Sequence, residues 1–235
     1  MTARVAVIIP VFNEAASLPL VLADLPRDLV DRVIVVDNAS TDGSADVARA
    51  HGAEVVHQPQ RGYGAACLAG IAALRADDDL VVFLDGDYSD YPADLRDLLP
   101  PVRDGEVDLV LGTRMQNAES RRALLPQARF GNQLAAFLMR LLFGIRCSDL
   151  GPFRVIRHDA LRRLGMTDQD FGWTVEMQLR AHLRGLRVRE LPVRYRKRIG
   201  DSKITGTLSG TLRAGYKILK TIFVYRLRLR QIARE

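Results

Sequence analysis

Across residues 5–111 the chain alternates short β-branched runs with helix-length segments. That alternation restricts the fold more than any single motif. The runs at 5–11, 32–36, 53–57, 80–84 and 107–111 read as buried strands. Between them, 15–25, 44–51 and the Ala-rich 64–75 have helical length and spacing. Pro92 suits the first turn of a further helix. Strand and helix in alternation predict an α/β fold: a doubly wound, mostly parallel sheet with helices on both faces. Right-handed crossovers then gather the C-terminal ends of the parallel strands on one rim.

Four polar segments fall on that rim. They are Pro10-Val11-Phe12-Asn13-Glu14, Asp37-Asn38-Ala39-Ser40-Thr41-Asp42-Gly43-Ser44, Gln58-Pro59-Gln60-Arg61-Gly62-Tyr63-Gly64 and Asp85-Gly86-Asp87. Open α/β sheets place ligands beyond the strand C-termini. Asp85 and Asp87 flank a residue with no side chain, an arrangement that suits a hard divalent cation sharing oxygen ligands with phosphates. Asp-Gly is also ordinary turn chemistry. The convergence of four polar loops favours a metal–diphosphate site.

The second half is less regular. Residues 128–143 have the pattern of an amphipathic helix, 149–154 a Gly/Pro loop entering a short strand, and 172–184 a helix. Leu191, Val193 and Tyr195 alternate with Pro192, Arg194 and Arg196, a strand with one basic face. The last helix, 208 to about 225, places Leu208, Leu212, Leu219, Ile222 and Phe223 on one side, with Arg213, Lys217, Lys220 and Arg228 opposite. This helix either packs on the body or lies on an anionic membrane surface.

Charge is uneven. The net is +6, yet residues 186–235 carry fourteen Lys/Arg against three acids, which leaves an acidic body with a basic C-terminal fifth. An anionic partner is expected on that side. Substrate phosphates and a membrane surface fit. Nucleic acid is not expected, because the region lacks aromatic interleaving and RNA-binding signatures. The apolar runs at 134–145 and 218–225 are interrupted by Arg140 and Lys220, short of the ~18–20 residues that span a bilayer. The N-terminal run lacks signal-peptide length. A cytoplasmic protein follows. Cys67 and Cys147 show no ligand spacing and read as reduced, packed thiols. The four histidines receive no role.

The strand-end segments together resemble the family-two glycosyltransferases of GT-A fold. Leu111-Gly112-Thr113-Arg114, Gly131-Asn132, Asp149-Leu150-Gly151-Pro152-Phe153-Arg154 and Arg198-Ile199-Gly200-Asp201-Ser202-Lys203 are similar to its dolichyl/polyprenyl-phosphate hexose (mannose/glucose) synthase branch. The resemblance implies a glycosyltransferase domain over 1–205, with a nucleotide-sugar half (1–115) and an acceptor half (116–205), followed by a basic helix (206–235). Pro10, Phe12 and Glu14 would line the nucleoside pocket, and Asp37 would accept from base or ribose. Gly64 would let the backbone approach the nucleotide, with Arg61 nearby. Gly86, Arg114 and Ser202 would join the donor site. Asp85 would touch ribose or metal, and Asp87 would hold Mg²⁺ or Mn²⁺.

The chemistry agrees with that assignment. Cleaving a sugar–diphosphate bond develops negative charge on the departing nucleotide, which a divalent metal stabilises. Arg198 and Lys203 would share the load from a loop able to close over the phosphates. A hydroxyl acceptor needs a general base, for which Asp149 and Glu176 are the candidates. Some relatives carry an acid directly before Phe-Arg, where this chain has Pro152, so the base stays open. A phosphate acceptor is ionised near neutral pH and needs cations instead. Arg129 and Arg154 would hold it, while Arg121 and Arg122 fit a solvated loop. Trp173 beside Phe171 suits helix-start packing or an acceptor platform. The expected activity is inverting hexosyl transfer to a polyprenyl phosphate at the cytoplasmic membrane face, with peripheral membrane contact and a possible homo-oligomer. The alternative is transfer to a hydroxyl. Sugar-phosphate nucleotidyl transfer usually needs a Gly-rich N-terminal loop with a basic residue, and Pro10-Val11-Phe12-Asn13-Glu14 is not one.

Overall fold

The computed structural model describes residues 3–200 and 208–227. Seven strands form one sheet: β1 (Val5–Val11), β2 (Arg32–Asp37), β3 (Glu54–His57), β4 (Leu80–Phe83), β5 (Leu109–Thr113), β6 (Arg154–Arg157) and β7 (Val188–Pro192). Their order is β3-β2-β1-β4-β6-β5-β7. β1 pairs in parallel with β2 and β4, β2 with β3, and β5 with β7. Only β6 runs against its neighbours, β4 and β5. The doubly wound, mostly parallel sheet expected from the alternation is present. The reversed β6 brings its N-terminal end, and the 149–153 turn before it, to the rim where the other strands end.

The helices are α1 (Leu18–Asp24), α2 (Ser44–Ala50), α3 (Tyr63–Ala72), α4 (Leu95–Leu98), α5 (Pro100–Arg103), α6 (Ala118–Ala123), α7 (Pro126–Phe143), α8 (His158–Leu164), α9 (Trp173–Leu183) and α10 (Leu208–Leu227). Side-chain alternation along β1 separates two cores. Val5, Val7, Ile9 and Val11 pack with Leu18, Leu22, Leu95 and Leu98 on one face. Ile8 joins Ile34, Val36, Ala66, Cys67, Trp173 and Met177 on the other. Burial on both faces explains why these strands read as continuous apolar runs. A third cluster lies between α7, α9 and α10, built from Ala135, Met139, Val175, Leu179, Ile222 and Tyr225.

Several boundaries differ from expectation. The helix expected from residue 15 starts at Leu18, because Glu14 to Ser17 close a turn in which the Ser17 amide donates to the Glu14 carbonyl at 3.1 Å. The fifth strand runs two residues later than 107–111. The strand expected across 191–196 ends at Pro192, and only Tyr195 bridges onward, to Asp90. On α10 the expected apolar face is rotated. Phe223 points outward, whereas Tyr225 is buried because its hydroxyl finds Glu176 at 2.8 Å. Lys217 pairs with Asp168 at 3.1 Å. Both cysteines are free thiols. Among the described residues no helix is long and apolar enough to cross a membrane.

Candidate active site

The strand order reverses at β1. The chain winds outward through β2 and β3, then returns to place β4 on the other side of β1. A crevice opens beyond the strand ends at such a reversal. Pro10 stands at its edge. Pairing between β1 and β4 ends at Ile8 and Phe83, so no ladder bond on that side is lost to the missing proline amide. Among the described residues the non-glycine residues with left-handed backbone are Asn13 (φ 54°), Ala39 (φ 59°) and Tyr88 (φ 62°). They occupy the loops after β1, β2 and β4, all on the crevice. Such strain costs about 1–3 kcal/mol each and persists where the surroundings hold it.

Those loops are tied together by short polar side chains. The Asn13 amide donates to Ser40 Oγ at 3.0 Å and Asn13 Oδ1 accepts from the Thr41 amide at 2.7 Å. The Glu14 amide donates to Ser44 Oγ at 2.9 Å. Asp37 is buried: Oδ1 accepts from the Ser40 amide at 3.0 Å, and Oδ2 lies 3.1 Å from His57 Nδ1. It anchors its turn while each oxygen retains a lone pair for a donor. Asn38, to which the sequence attached no role, holds the loop after β3. Its Nδ2 donates to the carbonyls of Gln58 (3.0 Å) and Gln60 (2.6 Å), and its Oδ1 accepts from the Gly62 amide at 2.9 Å. Arg61 lies over the Phe12 ring, Cζ 3.1 Å from the centroid, which joins two residues expected at the nucleoside pocket. Gly64 is also required by a neighbouring segment of the chain. A Cβ there would stand 2.1 Å from the Asp168 carbonyl oxygen, so the close approach is to the 168–170 backbone.

The expected metal pair follows β4. Asp87 Oδ1 accepts from the Ser89 amide (2.8 Å) and hydroxyl (2.5 Å). Asp85 Oδ1 accepts from the Tyr63 hydroxyl at 3.0 Å. Between them Gly86 presses on β1, where a Cβ would meet Val11 Cγ2 at 2.9 Å. Its carbonyl accepts from Ser17 Oγ at 2.8 Å, which ties the loop to the turn after β1. Burial, and then the neighbouring Asp87 charge, push the Asp85 carboxyl up to about 7. Two carboxylates that resist joint ionisation form a set of hard oxygen donors that a divalent cation would relieve, so the pair fits Mg²⁺ or Mn²⁺. Among the described residues no cluster of three or more His, Cys, Asp or Glu is preformed for a metal, so further ligands would be diphosphate oxygens and water. Arg198 reaches the same place. Its Nη2 donates to Glu14 Oε1 at 2.7 Å and its Nη1 lies 3.3 Å from Asp87 Oδ2. The segment that carries it is secured along the loop after β4. The Arg196 amide donates to the Ser89 carbonyl (2.9 Å) and the Ile199 amide to the Asp87 carbonyl (3.1 Å). Ser202 and Lys203 lie outside the described residues.

Asp90 was not singled out from the sequence. It is buried, neither carboxylate oxygen has a hydrogen-bond partner, and burial followed by the Asp85 charge holds its carboxyl well above the usual range. Its spacing, Asp85-x-Asp87-x-x-Asp90, is the signal that could have found it.

Both candidate bases sit in dense hydrogen-bond networks. Asp149 Oδ2 accepts from the Arg114 amide (2.9 Å) and Nε (2.7 Å); Oδ1 accepts from Arg114 Nη2 (2.8 Å), Asn132 Nδ2 (2.6 Å) and the Leu150 amide (2.8 Å). Burial pushes this carboxyl up, but Arg114 outweighs it and holds Asp149 below the usual range. Arg114, expected beside the donor, is thereby committed to Asp149. Glu176 is buried too. It accepts from the amides of Thr167 (3.1 Å) and Asp168 (2.8 Å), Arg180 Nε (3.1 Å) and the Tyr225 hydroxyl (2.8 Å). Arg154, expected to meet a phosphate, is fully buried and donates to the carbonyls of Gly151 (2.9 Å) and Thr174 (2.8 Å), pinning the 149–154 turn to α9. Trp173 is fully buried with its ring 4.7 Å from Phe83, so it packs the start of α9 rather than offering a platform. Arg129, on the first turn of α7, is half-buried and its side chain has no partner among the described residues. Among the described residues the Arg121 side chain reaches the Met115 carbonyl, at 3.3 Å, and Arg122 is exposed.

Comparison with known proteins agrees with this geometry. Over 219 residues the chain is 39% identical to an uncharacterized glycosyltransferase of Mycobacterium tuberculosis, covering 93% of this chain and 97% of the other. It is 34% identical over 227 residues to the undecaprenyl-phosphate mannosyltransferase of Micrococcus luteus, covering 88% and 90%. A glucosyl-3-phosphoglycerate synthase from Mycobacterium tuberculosis, solved with Mn²⁺, uridine diphosphate and glucosyl-3-phosphoglycerate, shares the fold. Its TM-score is 0.74 at 23% identity, over 95% of this chain and 80% of that one. Residues 6–165 match the description "Glycosyl transferase family 2". A strand reversal carrying an acidic pair, and kinship along nearly the whole chain, place this protein in glycosyl transferase family 2, as a glycosyltransferase.

Proposed function

We propose that the protein transfers a hexose, with inversion, from a nucleotide sugar to a polyprenyl phosphate presented at the cytoplasmic face of a membrane. The observation that carries this reading is the state of the carboxylates. A hydroxyl acceptor must lose a proton in the transition state, which calls for a base with a free lone pair. Asp149 and Glu176 have every oxygen occupied by strong donors, and both Asp90 carboxylate oxygens are sealed from solvent, the side from which an acceptor hydroxyl would arrive. A phosphate monoester has a second pKa near 6, so it attacks without a base. The name of the Micrococcus luteus relative points to the same acceptor class.

In this scheme the acceptor phosphate oxygen forms a bond to the anomeric carbon on the face opposite the diphosphate, and the sugar–diphosphate bond breaks with its electron pair leaving on the nucleotide. Phe12, Arg61 and Asp37 hold the nucleoside. A Mg²⁺ or Mn²⁺ held by Asp85 and Asp87 would offset the charge on the departing diphosphate. Arg198 stands where that charge develops, within reach of Glu14 and Asp87, and Ser202 and Lys203 follow it in sequence. Arg129, whose side chain has no partner among the described residues, is a candidate cation for the acceptor phosphate.

Labelled nucleotide sugars incubated with short-chain prenyl phosphates and Mn²⁺ test the proposal. The expected product partitions into the organic phase and is labile to mild acid. Transfer to hydroxyl acceptors, with none to any prenyl phosphate, refutes it.

A further inference from the structure

We infer that Arg196 is a positioning residue for the reaction: its guanidinium fixes Arg198 in register with the Asp85-Gly86-Asp87 loop. The inference rests on the reading of Arg198 as a cation that meets the departing diphosphate. The basic face predicted at Arg194 and Arg196 lies against the segment that follows β4. There Tyr88, Arg196, Tyr91 and Arg194 stack in alternation. The Arg196 guanidinium carbon is 3.3 Å from the Tyr88 ring centre and 4.1 Å from that of Tyr91, and the Arg194 carbon is 4.6 Å from Tyr91. Arg194 ends the stack by donating to Asp94 at 2.7 Å. A planar guanidinium can stack on aromatic faces and donate in its own plane at once, which an ammonium cannot.

The in-plane donors take the main chain on both sides of Ser89. Arg196 Nε donates to the Tyr88 carbonyl at 2.7 Å, and Nη2 to the Asp90 carbonyl at 3.3 Å. Ser89 is the residue whose amide and hydroxyl hold Asp87 Oδ1. The Arg196 amide completes the bracket by donating to the Ser89 carbonyl at 2.9 Å. Tyr88 has left-handed backbone, φ 62°, a conformation that persists only where its surroundings over-determine it. Three contacts supply that restraint: the Arg196 bond to its carbonyl, the stack on its ring, and its own hydroxyl donating to Asp24 Oδ2 at 2.7 Å.

The same side chain sets the cation. Arg198 is two residues on, the spacing that returns a side chain to the same side of an extended segment. It reaches Glu14 at 2.7 Å and Asp87 at 3.3 Å. The Ile199 amide then bonds the Asp87 carbonyl at 3.1 Å. Glu14 begins the turn that leads into α1, and Asp24, the last residue of that helix, lies 3.6 Å from Arg196 Nη2. Asp87, Arg198 and Glu14 are therefore all referred to one guanidinium. A misplacement of about 1 Å at such a site is enough to cost about 10²-fold in rate.

Arg196→Met tests this, since it keeps a stem between the rings and removes the guanidinium. In metal-free protein the Ile199 amide should exchange its hydrogen at least about tenfold faster, while the amides of β1 exchange as in wild type. With the donor and acceptor that the enzyme turns over, kcat should fall by about 10²-fold. Donor KM should stay nearly unchanged, because the nucleoside is held by the loops after β1, β2 and β3. In an Arg198→Ala background the same substitution should cost no further kcat, the non-additivity of one residue acting through another. Equal losses in both backgrounds overturn the inference, and a merely structural role would produce that result through partial unfolding. Ile199 exchange that stays at the wild-type rate overturns it too. Tyr91→Leu removes one wall of the stack and serves where Arg196→Met does not fold. The same pattern at smaller amplitude is expected of it, and wild-type exchange and kcat would be fatal. Failure of the Arg198 reading is separable: Arg198→Ala would keep wild-type kcat, and the exchange rates would still decide whether Arg196 holds the segment.

Discussion

Asp85→Asn should stabilise the metal-free protein at neutral pH while abolishing its activity. An ordinary aspartate titrates near about 3.9, whereas burial and Asp87 raise Asp85 to about 7. A folded-state pKa above the unfolded one means the native state binds more protons between those values. Stability of the wild type therefore falls as pH rises from about 4 to about 7, and levels off above. The shift is roughly three units, so its ceiling is about 4 kcal/mol at 1.36 kcal/mol per unit. In a chain of this size that corresponds to at most about 8–16 °C in Tm. The amide removes the buried charge and the repulsion together. In EDTA, thermal melts of both proteins at half-unit steps from pH 4 to pH 8, limits set by the shift itself, should diverge by up to about 1.4 kcal/mol per unit. The difference should then stay constant above pH 7. Titrating groups remote from Asp85 cancel in the comparison, whereas Asp90, which the Asp85 charge helps to raise, adds to the divergence. Saturating Mn²⁺ should raise the wild-type Tm and leave the variant nearly unchanged, since one of two carboxylates is gone. Parallel melting curves across the range, or a wild type that gains on the variant as pH rises, would refute the reasoning.

Asp149→Ala should cost about 3–5 kcal/mol in urea unfolding, because it strands the buried Arg114 guanidinium; a loss of activity without a loss of stability would restore Asp149 as a base. Gly64→Ala, whose Cβ would overlap a backbone oxygen at 2.1 Å, should lower stability by at least about 1–3 kcal/mol and weaken nucleotide binding, measured by calorimetry. Arg198→Ala should reduce kcat by about 10²–10³-fold with a smaller change in donor KM, as expected of a cation acting on developing charge; steady-state kinetics at saturating metal would show it.

The alternation of β-branched runs and helical segments in residues 5–111 was enough to determine a doubly wound sheet, because a strand buried on both faces must be apolar along its length. Asp85-Gly86-Asp87 and the Pro10–Glu14 segment were legible as rim residues for the same reason: each follows such a strand directly. Arg198 was legible only through its family spacing, 111 residues beyond Asp87, and only the tertiary structure lays it across Glu14 and Asp87. The roles of Asp149, Glu176, Arg114 and Arg154 were decided by packing. A carboxylate in a Gly/Pro turn looks alike in sequence whether it meets substrate or a buried guanidinium, since the partner arrives from another element. Tyr63 and Asn38 were silent for that reason as well, their bonds reaching Asp85 and the loop after β3 across the crevice. The basic face at Arg194 and Arg196 was legible as alternation. An extended segment shows the same pattern whether its cations meet solvent or aromatic rings, and only the tertiary structure brings Tyr88, 108 residues away, against Arg196.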